Sequence, residues 1–579
     1  MKNKELAAVF SEIADLLEIK GEQIFRINSY RRAARTIKDL TQDIEQLAEA
    51  EALHTLPGIG KSTAEKIRQY LADGRIALHA ELLASIPAGL PELLRIPGLG
   101  PKKVALVWNE LNIANLADLE AAIRSGALAG LKGLGPKSVE QIDSGIAFLR
   151  RSTGRTPMGL AWPLAEELAA AMRRVKRVGR VEVAGSLRRG CETIGDLDLL
   201  CESSDGRSVV DAFTGLPMAR RVLAAGKTKG SIIVDRRDGG EVQVDCRVVP
   251  RESFGAALQY FTGSKEHNVR LRELAVKHNW KLNEWGLFDG DRRLAGRNED
   301  TIYEKLGLPF IPPEQREDRG EFAATLEPVI EQPDIRGDLH VHTDASDGTA
   351  DAETMARAAA AAGYEYVAIT DHSKSSTVAN GLSIDRLWRQ IEKVRALNRR
   401  LDTITVLIGC ECDILPDGSL DYPDSLLAAC DLVVASVHSA MRQPRKKVTA
   451  RVLRAMENPY VSILGHATGR LINRREPMDL DMTAVAAKAA ETQTALELNA
   501  SWQRLDLNDR HLRLALDAGA RICINTDSHS VAQLDQMKYG IATARRGWVR
   551  ARDAINTLPL PSLRRWLRRK RAGTGKLPG

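Results

Sequence analysis

The sequence predicts a multidomain protein: an α-helical hairpin region at the N-terminus, an α+β unit behind it, and a C-terminal distorted (β/α)7 barrel. Three observations carry this reading. A Gly-x-Gly turn recurs as LPGIG (56–60), IPGLG (96–100) and LKGLG (131–135), each followed by a helix pattern. Alternating apolar runs then fill 180–249, with helical stretches between them. Beyond residue 335, seven short apolar runs alternate with helix patterns, and six of them end in His, Asp or Glu.

The length of 579 residues suggests about four domains. Hydrophobic residues make up 44% and aromatic residues only 4%, so the cores must be aliphatic. No run of about 18 apolar residues exists, which excludes a spanning helix. The opening MKNKELAAVFSEIADLLEIKG mixes acids and bases and lacks an apolar signal core, so we expect no signal peptide and a cytoplasmic protein. Seven scattered cysteines are expected as buried, reduced thiols, and Cys410-Glu411-Cys412 is too close for a zinc-ribbon pair. A net charge of +7 permits an anionic partner without requiring one.

In order along the chain, the three turns come first. Paired glycines (Gly58 and Gly60, Gly98 and Gly100, Gly133 and Gly135) permit positive φ and close approach of another backbone. The helix that follows each turn offers unpaired N–H groups to a phosphate. Three repeats point to sequence-independent gripping of a nucleic-acid backbone, and they resemble helix-hairpin-helix motifs.

GSLRRGCETIGDLDLL (185–200) carries the first chemistry. Asp196 and Asp198 stand two apart on a strand and so share a face. In EVQVDCRVV (241–249), Asp245 takes the face opposite Val242 and Val244. If the two strands pair, three carboxylates converge, the hard oxygen set that Mg²⁺ or Mn²⁺ prefers. Gly185 and Ser186 can cradle a phosphate, with Arg188 and Arg189 supplying charge. Carboxylates beside a triphosphate cradle suit nucleotidyl transfer.

This stretch resembles the nucleotidyltransferase palm of the family X DNA polymerases, the DNA polymerase beta type, over roughly residues 1–320. YFTGS (260–264) and LNEWGLF (282–288) resemble the family's thumb. The resemblance implies a metal triad of Asp196, Asp198 and Asp245, with deoxynucleoside triphosphates and gapped or primer-template DNA as partners. It further implies Ser186, Arg189, Gly195 and Arg155 at the triphosphate, and Tyr260, Phe261 and Gly263 at the sugar. Asn268 would meet the base and Arg272 the template. Lys66 falls where some members carry a 5′-deoxyribose-phosphate lyase lysine, while Ser62, beside Lys61, stands at the helper-lysine position.

The second chemistry lies in the barrel. Six histidines end strand-like runs (His340, His342, His372, His438, His466 and His529), joined by Asp347, Glu411 and Asp527. Such a mixed set suits two or three Mn²⁺, Zn²⁺ or Fe²⁺ ions and hydrolytic phosphoester chemistry. His511 lies inside a helix pattern and is left out. DLHVHTDASDG, TDH, GH and TDSH resemble the polymerase-and-histidinol-phosphatase (PHP) domain over about 336–570. On that resemblance Arg470, in GHATGR, and Asn499, in ELNAS, are expected at the substrate.

These readings divide the chain into a lyase-like hairpin domain (1–85), a fingers-type hairpin region (86–155), palm (156–258), thumb (259–311), linker (312–335), PHP domain (336–570) and basic tail end (571–579). The linker, with Pro312, Pro313, Pro328 and Pro333 among many charges, is expected to be mobile. The whole predicts a monomeric gap-filling polymerase of the base-excision-repair type with a tethered 3′→5′ exonuclease. The alternative is a small-molecule phosphatase fused to a DNA-binding module.

Overall fold

In α1 (Asn3–Ile19), Leu6, Phe10, Ile13 and Leu17 recur every three or four residues, and all are fully buried. Helix α2 (Ile24–Asp39) turns Ile27, Ala33 and Ile37 onto the same core. They belong to the first of two units in the computed structural model, which describes residues 3–571 apart from 41–43, 57, 95, 97, 153 and 324. This unit comprises Met1–Thr153 with Asn473–Arg475, and the second comprises Gly154–Ile472 with Glu476–Gly579.

Three helices of the first unit start directly after the Gly-x-Gly turns: α3 (Lys61–Asp73), α4 (Pro101–Leu111) and α5 (Pro136–Ser152). The first glycine of each turn is left-handed, with φ of +79° at Gly58, +92° at Gly98 and +103° at Gly133. At Gly58 a Cβ would strike the Arg32 side chain at 2.5 Å. The second glycine differs from expectation. Gly60 and Gly100 have ordinary φ of −85° and −77° and act as helix N-caps without a capping side chain. A Cβ at Gly60, Gly100 or Gly135 would meet nothing within 4 Å. Only the first glycine is needed for the turn, and the second leaves the helix start uncovered.

The second unit opens with α6 (Met158–Arg173), which packs on a five-stranded sheet of β1 (Val181–Val183), β2 (Asp196–Glu202), β3 (Ala219–Ala225), β4 (Lys229–Asp235) and β5 (Glu241–Val249), in the order β1-β2-β5-β4-β3. The short α7 (Gly206–Thr214) covers one face. Strands β2 and β5 are parallel neighbours, and Asp198 lies beside Asp245 in register. β3 is absent from the sequence reading. It is an exposed edge strand whose Arg220, Arg221 and alanines do not mark a strand.

Helices α8 (Phe254–Thr262) and α9 (Lys265–Lys277) and the antiparallel strands β6 (Lys281–Asn283), β7 (Gly286–Asp289) and β8 (Arg292–Ala295) follow. The segment expected as a mobile linker is instead pinned on its N-terminal side. Arg316 is fully buried and donates to Glu299 at 2.5 Å and to the Ile311 carbonyl at 2.8 Å. Glu321, also buried, meets His267 at 2.8 Å. Glu314 pairs with Arg545, and Arg319 with Asp509. Its charges find partners on three sides instead of water, so charge density alone misled the reading.

All seven predicted barrel runs are strands: β9 (Gly337–Val341), β10 (Tyr366–Ile369), β11 (Thr405–Asp413), β12 (Leu432–Ser436), β13 (Val461–Leu464), β14 (Ala495–Asn499) and β15 (Ile522–Asn525). They pair in parallel and in sequence order. A Val341–Ser528 bridge nearly closes the barrel. Helices such as α10 (Ala352–Ala361), α11 (Ile384–Asn398) and α12 (Met537–Arg546) pack outside. The helix Leu560–Arg571 ends the described residues, so the basic tail beyond it lies outside them. No helix among the described residues is long and apolar enough to cross a membrane. The seven cysteines are free, and six are buried.

Candidate active sites

The pairing of β2 with β5 brings Asp196, Asp198 and Asp245 to one edge of the palm sheet. Leu197 and Leu199 point into the core and fix the alternation. Burial, then Asp196 and Asp245, push the Asp198 carboxyl up to about 7. Asp245 moves the other way. Burial would raise it, but Lys229 at 2.6 Å, Gln243 at 2.9 Å and Ser231 at 2.7 Å hold it below the ordinary carboxylate range. Like charges held this close, with one carboxyl driven toward its neutral form, fit a site for divalent cations. Gly185 is required beside them: its φ is +63°, and a Cβ would lie 2.1 Å from Asp198 Oδ2.

A cavity of about 420 Å³ opens at these carboxylates, lined by Gly185, Ser186, Arg189, Asp196, Asp198 and by Tyr260, Phe261, Gly263, Asn268 and Arg272. The structure therefore gathers most of the residues expected at a nucleotide. Asn268 is held by Gln259 and by the Tyr260 carbonyl, and Arg272 donates to the Asn268 carbonyl. Two arginines lie elsewhere. Arg188 is spent on Glu299, to which it donates at 2.9 and 2.7 Å, and on Thr262. Arg155 lines a different cavity and donates to Thr193 at 2.9 Å; Gly195 sits beside it, where a Cβ would lie 3.9 Å from the Arg155 guanidinium. In the other unit, Lys66 donates to the Ser62 hydroxyl at 2.8 Å, and its ammonium lies 6.0 Å from the Tyr30 ring centre.

The barrel mouth gathers all nine expected residues. Three sets of ligand atoms lie close enough to hold an ion: His342, Asp347, His372 and His529; His340, His342 and Asp527; and His372, Glu411 and His438. Glu411 is central, 2.8 Å from His372, 3.3 Å from His438 and 3.0 Å from His466. Asp527 lies 3.1 Å from His342. His340 Nε2, both nitrogens of His342, His372 Nδ1, His466 Nδ1 and Glu411 Oε2 are buried, and none of them meets a partner at hydrogen-bonding angles even where a carboxylate or imidazole lies close. Such orphans are costly in protein alone and fit coordination to metal.

Outer residues that the sequence reading did not single out orient this set. Glu497 accepts from His340 at 2.7 Å and Asp413 from His438 at 2.5 Å, which aims the other ring nitrogen of each inward. Asp371 accepts from Thr343 and Gln390 and fixes the loop carrying Asp347. Burial opposes charge on His438, but Glu411 and Asp413 raise it to about 10. Asp347 and Asp527 likewise raise His529 to about 9. Burial and the neighbouring His529 and His372 push His342 down to about 3.

The two residues expected at the substrate both have protein partners. Arg470 turns away to Glu192, at 2.6 Å, and to the Leu505 carbonyl. Asn499 is fully buried and donates to Asp527 at 3.0 Å, so it orients a ligand residue. Arg504 also lies at the site, 3.7 Å from Asp527. It sits in a loop with no motif, and no sequence signal marks it.

Comparison with known proteins places these sites in context. A helix-hairpin-helix domain model matches residues 1–76 and a SAM-like helix-hairpin-helix tandem 90–144. The DNA polymerase beta thumb matches 257–317 and the PHP domain 338–501. The DNA polymerase/3′-5′ exonuclease PolX of Bacillus subtilis (strain 168) is 37% identical over 574 residues, 98% of this chain and 100% of that protein. DNA polymerase lambda of Rattus norvegicus is 25% identical over 54% of this chain and 56% of its own length. A probable phosphatase of Thermoanaerobacter sp. (strain X514) is 25% identical over 41% of this chain and 96% of its own length.

Proposed function

Because this chain belongs to the family of the bacterial DNA polymerase/3′-5′ exonuclease PolX, we propose that it fills short gaps in DNA from its palm and trims 3′ ends in its barrel. The observation that carries this is the presence of two complete and chemically different clusters on one chain. In the palm, Asp196, Asp198 and Asp245 would hold Mg²⁺ or Mn²⁺, which when bound neutralises charge at the transferring phosphate. Ser186 and Arg189 hold the triphosphate, Tyr260 and Phe261 bound its sugar, and Asn268 meets the base. In the barrel, the six histidines with Asp347, Glu411 and Asp527 would hold two or three Mn²⁺, Zn²⁺ or Fe²⁺ ions, and Arg504 takes the substrate phosphate.

The hairpin turns grip duplex phosphates without reading bases, since glycine N-caps present only backbone N–H groups. Lys66 is the residue placed to act on a 5′-deoxyribose phosphate. The protein works as a cytoplasmic monomer. The phosphatase-like relative favours a second reading, a small-molecule phosphatase in the barrel, but a fused phosphatase has no use for a carboxylate trio and nucleotide-sized cavity in the palm.

One assay tests both activities. A 5′-labelled primer on gapped DNA, with Mg²⁺ or Mn²⁺, should lengthen when deoxynucleoside triphosphates are present and shorten when they are not. Absence of both changes, with hydrolysis of sugar phosphates instead, hands the barrel to the second reading.

A further inference from the structure

The nucleotide cavity and the barrel meet at one carboxylate. Arg189, on the cavity wall, donates from Nη1 to the Thr262 carbonyl at 2.6 Å and from Nε to Glu317 Oε1 at 3.0 Å. Arg546, on the barrel helix α12, donates to that same Glu317 oxygen at 2.8 Å. It also donates to the Arg189 carbonyl at 2.8 Å. The other terminal nitrogen of Arg546 reaches Asp509 at 3.1 Å, which Arg319 holds at 2.8 Å. The three central side chains are largely buried, at 15% exposure for Arg189, 17% for Glu317 and 8% for Arg546.

We propose that Glu317 and Arg546 are positioning residues for nucleotide addition, through which the barrel sets how much of the Arg189 charge is free for a triphosphate. The inference rests on the palm reading given above.

Charge arithmetic supplies the reason. Asp509 and Arg319 offset one another. Two guanidinium groups then share one carboxylate, which leaves a net positive charge beside the cavity. Burial alone would raise the Glu317 carboxyl, but Arg546 and Arg189 hold it below its ordinary value, so it stays ionised and divided between them. In such a screened-off place each charge acts strongly on its neighbours. If Arg546 is removed, Glu317 belongs to Arg189 alone and neutralises it. If the Glu317 charge is removed, Arg189 is released and the local charge rises. The two changes therefore act on triphosphate binding with opposite signs. A merely mechanical contact between palm and barrel would give one sign for both.

The test uses the full-length protein with Mg²⁺. Binding of the fluorescent triphosphate mant-dATP is measured, then KM and kcat for dATP on gapped DNA. Arg546→Ala should raise Kd and KM about threefold or more, and Glu317→Gln should lower them by a similar factor, with kcat changed by less than about twofold in each. The Arg546→Ala effect should be smaller in the Glu317→Gln background, where no carboxylate is left to fall back on Arg189, and Arg546→Lys should fall between alanine and wild type. A gain in affinity for Glu317→Gln cannot come from a misfolded variant. Shifts in the same direction for both variants, or no shift in either while wild type binds mant-dATP, overturn the proposal. A wild type that binds no mant-dATP fails the palm reading itself and takes this proposal with it, an outcome recognisable before any variant is made.

Discussion

The palm and the barrel solve the same problem, holding several charges together, in two ways. The palm has only oxygen donors and brings them together by strand pairing, with Lys229 on Asp245 and Asp198 pushed toward its neutral form. The barrel mixes imidazoles with carboxylates, so protons on His438 and His529 balance Glu411 and Asp347. The palm site is thus strained by its own charges, whereas the barrel site is neutralised by protons that metal must displace. Oxygen-only donors favour Mg²⁺ or Mn²⁺, and imidazoles favour softer ions.

The largest expected effect is the loss of nucleotide addition in Asp198→Ala. Loss of charge neutralisation at the phosphate should cost about 10³-fold or more, roughly 4 kcal/mol, in primer extension. Degradation of the same primer should persist. Near-normal extension by this variant would remove the carboxylate trio as the site of nucleotide addition.

His342→Ala should act in the mirror sense. It removes a group shared by two candidate ion positions, so 3′→5′ degradation should fall by about 10²-fold or more while extension continues. Intact degradation would falsify the assignment of the nuclease to the barrel.

Glu497→Gln sharpens the barrel half. Its carboxylate orients His340, and its loss should weaken Mn²⁺ binding by about 10- to 100-fold in isothermal titration. The same titration on wild type should release protons, because His438 near 10 and His529 near 9 are protonated at pH 7. Affinity should therefore fall between pH 8 and pH 6. Proton-neutral, pH-independent uptake would contradict the balance described here.

The smallest effect concerns stability. The folded-state value of Asp198, about 7, lies above its ordinary 3.8. Its contribution is thus fully favourable below about 3.8 and is lost as pH rises through about 7. In metal-free protein, Asp198→Asn should be more stable than wild type at pH 8 by on the order of 1–3 kcal/mol, with the gain shrinking toward pH 4. Thermal melts in a chelator check this, and a destabilised asparagine variant at pH 8 removes the idea of a strained palm.

Much of this was legible in the sequence because function was written at strand ends. Each barrel strand is a β-branched or aliphatic run, and most stop at a metal-type residue such as His438 or His466. The palm trio was readable for a related reason, since period-two alternation puts Asp196 and Asp198 on one face. What escaped has equally physical causes. Strand β3 is an exposed edge whose arginines and alanines suit a helix as well. Glu497 sits within its strand and Asp413 at the end of a run whose metal-type Glu411 drew the eye, so neither stands out. The pairing of Arg470 with Glu192 was not readable either, because a loop arginine can turn to either side. The segment after the thumb has the charge density of a solvated linker, and only the fold supplies the partners of those charges.

That segment also determines how an end would pass from one site to the other. Arg316 is paired within the thumb, Glu317 with palm and barrel, and Arg319 with the barrel, so the segment ties the three together at several points instead of joining them as a free arm. With the two sites tied in this way, correction becomes a matter of partition: a primer end must let go of one site and be recaptured by the other. A trap that sequesters released DNA should therefore suppress trimming of a freshly extended primer in single-turnover experiments, while leaving the extension that preceded it unaffected.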